Sequence, residues 1–271
     1  MEFYFITNNI EVAKICDKNN VIPWIDLETL GKEERQRGMN TVKSRHHISD
    51  IKPIKKVLKN QLLLVRINPI NKNSKEEIRQ VIDEGADIIM LPFFKRKEEV
   101  QEFVRLVEKK CKTMLLFETR ESVDNIDDIL CVNGIDKVHI GLNDLHLSYG
   151  LNFMFELITN GTVDYICQKF NEYGFKQYGF GGIARLASGT IPAEYIILEH
   201  IRLKSAQAIL SRSFCNIENY PSINDFKTDF ENELKKIEIF YTAISSCSKK
   251  FVDNNHIITT DLINKLTNRG K

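Results

Sequence analysis

Glu118 and Asp144 each follow a short apolar run, Met114-Leu115-Leu116-Phe117 and Val138-His139-Ile140-Gly141. Two converging carboxylates, with waters filling the remaining positions, are a common way to hold Mg²⁺ and leave room for a bidentate substrate. Each acid could equally be a solvated loop residue or a helix cap. Arg66 closes a third run, Leu62-Leu63-Leu64-Val65. A guanidinium stays charged on burial, and its planar fork suits carboxylate or enolate oxygens. It could also tie strand ends together, to Glu118 among others. Asp26 and Glu28 close a fourth run, behind Trp24-Ile25. Two residues apart on an extended chain, they share one face. A salt-bridge network and the steering of a proton-transferring water both fit them. His46, in the polar stretch that follows, titrates near neutrality and is a further candidate base. Its neighbour His47 reads as a surface residue and His139 as a structural part of its strand.

These residues need elements to carry them. A strand buried on both faces of a parallel sheet is apolar along its length. When such a run stops on an acid or an arginine, that residue stands at the carboxyl end of the sheet, where α/β barrels carry their chemistry. The chain alternates strand and helix throughout. Strands are expected at 3–6, 21–27, 62–67, 88–91, 114–117, 138–140, 178–183 and 206–210. Helices are expected between them, among them 51–58, one opened by a Ser74–Glu77 capping box and ended at Gly85, and 122–130. Ser74 and Glu77 have the spacing to satisfy each other's free amides. Eight such units are what a closed parallel barrel requires. The fold class expected is α/β, a (β/α)8 TIM barrel with extra C-terminal helices. It is read as one domain, 1–271, with 222–271 as a helical extension. Phe226, Phe230, Leu234, Ile237, Tyr241 and Ile244 fall three or four apart and predict one long helix, with Ser222 or Asp225 as its cap. A short helix is expected near 261–266. The surplus helix could dock on a second copy, so a homo-oligomer is expected.

Composition narrows the partners. The 271 residues are 42% hydrophobic with a formal net charge of +1, enough apolar content for a sizeable core. No basic stripe or aromatic-basic interleaving points to nucleic acid, and no run has membrane-spanning length. The six cysteines are dispersed with no C-x-x-C pair and read as reduced small hydrophobes. No signal-peptide pattern opens the chain, so a cytoplasmic protein with a small-molecule ligand is expected. Gly179, Gly181 and Gly182 lie in the stretch read as strand seven and its turn, where many barrels bind phosphate, although glycines also simply permit a tight turn. There is no P-loop, Rossmann fingerprint or H-E-x-x-H.

Four stretches carry a family resemblance: Val65-Arg66-Ile67-Asn68-Pro69, Gly85-Ala86-Asp87-Ile88-Ile89-Met90-Leu91-Pro92, Glu118-Thr119 and Ile140-Gly141-Leu142-Asn143-Asp144-Leu145. Together with Ile25-Asp26-Leu27-Glu28 they resemble the HpcH/HpaI aldolase and citrate lyase β-subunit family, a phosphoenolpyruvate/pyruvate-type barrel superfamily. The resemblance implies Mg²⁺ or Mn²⁺ held by Glu118 and Asp144. It implies that Arg66 contacts the keto or enolate oxygen, and that backbone amides around Gly141, Leu142 and Asn143 hold the substrate carboxylate. Two positions depart from the family. Thr29 stands where the aldolase branch has a histidine after the acid matching Glu28. The citrate lyase pattern D-L-E-D likewise ends here on Thr29.

The expectation is therefore a metal-dependent carbon–carbon lyase or aldolase acting on a small 2-oxo acid through a metal-stabilised enolate. Arg66 would stabilise charge, and a water steered by Glu28 or Asp26, or else His46, would act as base. The alternatives are a citryl- or malyl-thioester lyase of the same fold and a barrel that only binds a ligand.

Overall fold

The structure is a computed structural model and describes residues 1–31, 46–211 and 213–268. Its strands are β1 (Glu2–Ile6), β2 (Val21–Asp26), β3 (Leu64–Arg66), β4 (Ile88–Leu91), β5 (Lys112–Phe117), β6 (Lys137–Ile140), β7 (Tyr178–Ile183) and β8 (Gln207–Leu210). They follow one another in chain order as a closed barrel, the architecture that the alternating pattern predicts. The described chain divides into two compact units, one of Tyr4–His139 and one of Met1–Phe3 with Ile140–Lys271.

In the unit Tyr4–His139, β2 to β5 pair in parallel. Trp24 lies opposite Leu64, and Asp26 opposite Arg66. Leu64 lies opposite Ile88, and Leu91 opposite Leu115. These strands are buried along almost their whole length, because helices cover one face and the barrel interior fills the other. The helix Ser74–Asp83 ends where Gly85 takes φ +105°, a conformation that costs a glycine little.

The capping box expected at its start is absent. Asn73 occupies the cap, and Ser74 Oγ accepts the Asn71 amide at 2.8 Å. Glu77 turns away to Asn68, accepting its backbone N–H at 3.1 Å and its Nδ2–H at 2.8 Å. The expected helix at 122–130 is two helices, Arg120–Asp124 and Ile126–Leu130. Asn125 breaks them and donates through Nδ2 to the carbonyls of Lys95 and Glu121. A carboxamide that can serve the backbone competes with helix propagation.

In the other unit, β7 and β8 pair in parallel with a register shift between Gly179 and Gly182. A Cβ on Gly179 would stand 2.0 Å from the Gln207 carbonyl oxygen, so only glycine allows that approach. The helix Leu142–Ser148 was not anticipated: its seven residues are too few to display a period.

The long helix Ile223–Ile244 is capped by Ser222, whose Oγ accepts the Asp225 amide at 3.2 Å. It buries Phe226, Phe230, Leu234 and Ile237, the first four positions of the stripe read from the sequence, while Tyr241 and Ile244 are only half-buried. The final helix runs Lys249–Asn268 rather than 261–266. Its inward positions are Val252, Asn255, Thr259 and Ile263, and the two polar residues among them masked the stripe. Asn255 is paid for by donating to the Tyr195 carbonyl at 3.2 Å and to Thr259 Oγ1 at 3.3 Å. All six cysteines are free, with Cys16, Cys167 and Cys215 buried.

Candidate active site

Arg66, the last residue of β3, is 8% exposed and is gripped from one side. Its Nε donates to Asp26 Oδ1 at 2.8 Å and its Nη2 to Asp26 Oδ2 at 2.9 Å. Glu28 Oε2 lies 3.3 Å from the same Nη2. The parallel register that sets Asp26 opposite Arg66 makes this pairing local. The internal ion-pair network is thus present, and it has a defined geometry. Nε and Nη2 are engaged, while Nη1, which carries two of the five N–H donors, has no hydrogen-bond partner among the described residues. Burial works against the charge on Arg66, but Asp26, Glu28 and Glu118 outweigh it and raise the guanidinium pKa above its ordinary value. The Trp24 ring lies beneath, 5.1 Å from the guanidinium carbon.

Glu118 follows β5 directly and is buried. Its Oε1 accepts the backbone N–H of Phe93 at 3.0 Å. Phe93 pays for that aim with φ +54°, a conformation rare for a bulky side chain. Such strain persists where the surroundings over-determine it, which is often at functional sites. Thr119, next in the chain, donates from Oγ1 to the Phe94 carbonyl at 2.8 Å and so locks the same turn.

His46 accepts the backbone N–H of Asp26 through Nδ1 at 3.0 Å. The contact ties the His46 ring to the carboxyl end of β2, beside Arg66 and Glu28. His47 is exposed and His139 fully buried in β6.

In the other unit, Gly141 caps the helix Leu142–Ser148, with its carbonyl accepting the Leu145 amide at 3.1 Å. Asp144 lies in the first turn, half-buried, and Asn143 is exposed. The Leu142 side chain is buried against Gly181, where an added Cβ would meet Leu142 Cδ1 at 2.7 Å.

The sequence reading missed Trp24, Phe93 and Asn68. Asn68 carried a signal, since two residues past Arg66 it shares that residue's face. The φ of Phe93 carried none.

The donor chemistry around Glu118 suits a hard divalent cation, because carboxylate oxygens are the ligands such ions prefer. Among the described residues no three His, Cys, Asp or Glu side chains group as a metal cage. A cation there would rely on few carboxylates and on non-protein ligands, which is how Mg²⁺ is commonly held.

A closed eight-stranded barrel with an arginine and acids at its strand ends defines the class, a (β/α)8 barrel. The HpcH/HpaI aldolase/citrate lyase family profile matches residues 39–154, a region that includes Arg66, Glu118 and Asp144 and that the motifs had already marked as similar to this family. The matched family is one of aldolases and lyases.

Solved structures share the fold. An HpcH/HpaI aldolase from Desulfitobacterium hafniense DCB-2 is 16% identical over 88% of this chain and 92% of that one, with a TM-score of 0.60. The citrate lyase beta subunit from M. tuberculosis, complexed with oxaloacetate and magnesium, is 11% identical over 84% and 96%, with a TM-score of 0.58. The citrate synthase SbnG is 18% identical over 78% and 86%, with a TM-score of 0.58. A comparison with curated protein sequences returned no match. Among the described residues no helix is long and apolar enough to cross a membrane.

Proposed function

We propose that this protein is a divalent-metal-dependent carbon–carbon lyase or aldolase that cleaves a small 2-oxo acid through an enolate. The observation that carries the reading is the half-engaged guanidinium of Arg66. Asp26 and Glu28 hold it rigid and charged while its Nη1 edge keeps two donors for a ligand oxygen. Preorganised donors aimed at developing charge are among the largest contributions to catalysis.

In the cleavage direction a base takes the proton of the substrate hydroxyl, and that carbon–oxygen bond becomes a carbonyl. The adjacent carbon–carbon bond breaks, and its electron pair passes into the enolate of the oxo-acid. Nη1 of Arg66 donates to the enolate oxygen. Glu28, whose carboxylate lies 3.3 Å from Arg66 Nη2, is the one we assign to the proton. A proton delivered to the enolate carbon completes the balance. When bound, Mg²⁺ or Mn²⁺ supplies Lewis-acid polarisation of the same oxygen. Glu118 and Asp144 are the residues that would hold it, Glu118 on its burial and its aim, Asp144 on its sequence position after β6. Backbone amides of Gly141, Leu142 and Asn143 are assigned to the substrate carboxylate. A homo-oligomer also belongs to the proposal, supported by the exposed Ile239, Phe251, Ile257, Ile258 and Leu266 of the last two helices. A monomer on gel filtration would remove it.

Deuterium exchange at the methyl group of pyruvate, followed by NMR with and without Mg²⁺ or Mn²⁺, tests the reaction. Exchange that needs metal and is lost in Glu118→Gln is the expected result. No exchange in the wild type, across several oxo-acids and both metals, would leave a ligand-binding barrel as the better reading.

A further inference from the structure

Past Asp26 the β2 ladder ends, yet the next four backbone N–H groups are all taken. Leu27 donates to the Arg66 carbonyl at 2.9 Å. Glu28 donates to Asp26 Oδ1 at 3.2 Å. Thr29 and Leu30 both donate to Asn68 Oδ1, at 2.9 and 3.0 Å, and the Thr29 hydroxyl reaches the same oxygen at 3.3 Å. One side-chain oxygen thus replaces the ladder for two residues. Its orientation is decided elsewhere. Glu77 Oε1 accepts from Asn68 Nδ2 at 2.8 Å, with a longer contact from the same nitrogen to the Leu27 carbonyl at 3.4 Å, so the amide nitrogen sits on these acceptors and the oxygen faces the Thr29 and Leu30 amides. The backbone N–H of Asn68 on the same Glu77 oxygen fixes the turn that carries the side chain.

We propose that Asn68 is a positioning residue for Glu28 and Arg66, with Glu77 setting its orientation. This rests on the reading of Arg66 and Glu28 as site residues. Thr29, which stands where a base is expected by resemblance, is on this account a tether. Held at Leu27 on one side and at Thr29 and Leu30 on the other, the Glu28 backbone has little freedom, and its carboxylate stays on Arg66. Loosening Asn68 releases Glu28 first and then the guanidinium over Trp24, the single tryptophan of the chain.

The test uses Asn68→Ala, Asn68→Asp and the exchanged pair Asn68→Asp with Glu77→Gln, in the full chain. The pair restores a donor facing an acceptor, with the amide now on residue 77. In Asn68→Ala, amide hydrogen exchange at Thr29 and Leu30 rises tenfold or more, protection in β4 is unchanged, and the emission of Trp24 shifts. Asn68→Asp, which sets two carboxylates against each other, shows the same loss, and the exchanged pair recovers most of it. Pyruvate methyl exchange falls at least tenfold in kcat in the two single variants and returns in the pair.

Unchanged amide exchange in Asn68→Ala overturns the proposal. So does faster exchange with an unmoved Trp24 emission, since Asn68 would then hold a loop and nothing more. Absence of pyruvate exchange in the wild type would count against the proposed reaction alone, because the amide and emission readouts need no turnover.

Discussion

Asp26 holds Arg66 with both carboxylate oxygens, Nε to Oδ1 and Nη2 to Oδ2, across directly opposed positions of β2 and β3. A bidentate pair of this kind is stronger and more directional than a single contact. Removing one partner of a buried pair leaves the other charge uncompensated. Asp26→Asn should therefore cost about 3 kcal/mol of stability, measured by urea denaturation at neutral pH. A loss below 0.5 kcal/mol, the range of ordinary surface changes, would mean the pair is not buried as described.

Arg66→Lys should keep the fold and lose the chemistry. An ammonium cannot span both Asp26 oxygens and still point a donor edge elsewhere. We expect pyruvate methyl exchange to fall by about a hundredfold, a few kcal/mol of lost transition-state stabilisation, with an unchanged circular dichroism spectrum. Retained exchange would remove Arg66 from the proposed mechanism.

Because Trp24 lies under Arg66, an oxo-acid that reaches the guanidinium should change tryptophan emission. Titration with pyruvate or oxaloacetate should give a saturable change in the wild type and none in Arg66→Met. A flat titration with every oxo-acid tried would argue that no such ligand docks there.

Glu118→Gln keeps an oxygen for the Phe93 amide, so stability without metal should hardly move. In the wild type, saturating Mn²⁺ should raise the melting temperature by mass action. That gain should vanish in the variant. An equal gain in both proteins would move the metal away from Glu118.

Asp17 offers a pH test away from the site. Burial pushes its carboxyl up, but the amides of Asn60, Gln61 and Lys59 and the Asn60 side chain outweigh this and hold it below the usual carboxylate range. With the folded value below the unfolded one, the stabilisation is full above the unfolded value and is lost as pH falls through the folded one. Asp17→Asn should cost about 2 kcal/mol at pH 7, and the gap to wild type should shrink once pH drops below about 4. A gap that stays constant down to pH 2 would show that the charge contributes nothing.

Much of the architecture was legible because it depends on local patterning. Buried strands must be apolar whoever their neighbours are, so Leu64-Val65 and Met114–Phe117 announced themselves, as did the charged residues that end them. The stripe Phe226–Ile237 followed from helical spacing alone. The final helix was shortened in the reading because Asn255 and Thr259 sit on its buried face, which is affordable only once Tyr195 supplies a carbonyl from another helix.

What the sequence by itself determined was the inventory: eight strands, and Arg66, Glu118, Asp26 and Glu28 at or just beyond strand ends. Tertiary structure alone decided how that inventory is used. Opposite register turned Asp26 into a clamp on Arg66, Nδ1 of His46 went to a backbone amide, and Glu77 left its expected cap for Asn68. Each of these is a choice among partners, which lie 40, 20 and nine residues apart in the chain. Such a choice depends on distances that strand pairing sets, and residue type and spacing do not encode them.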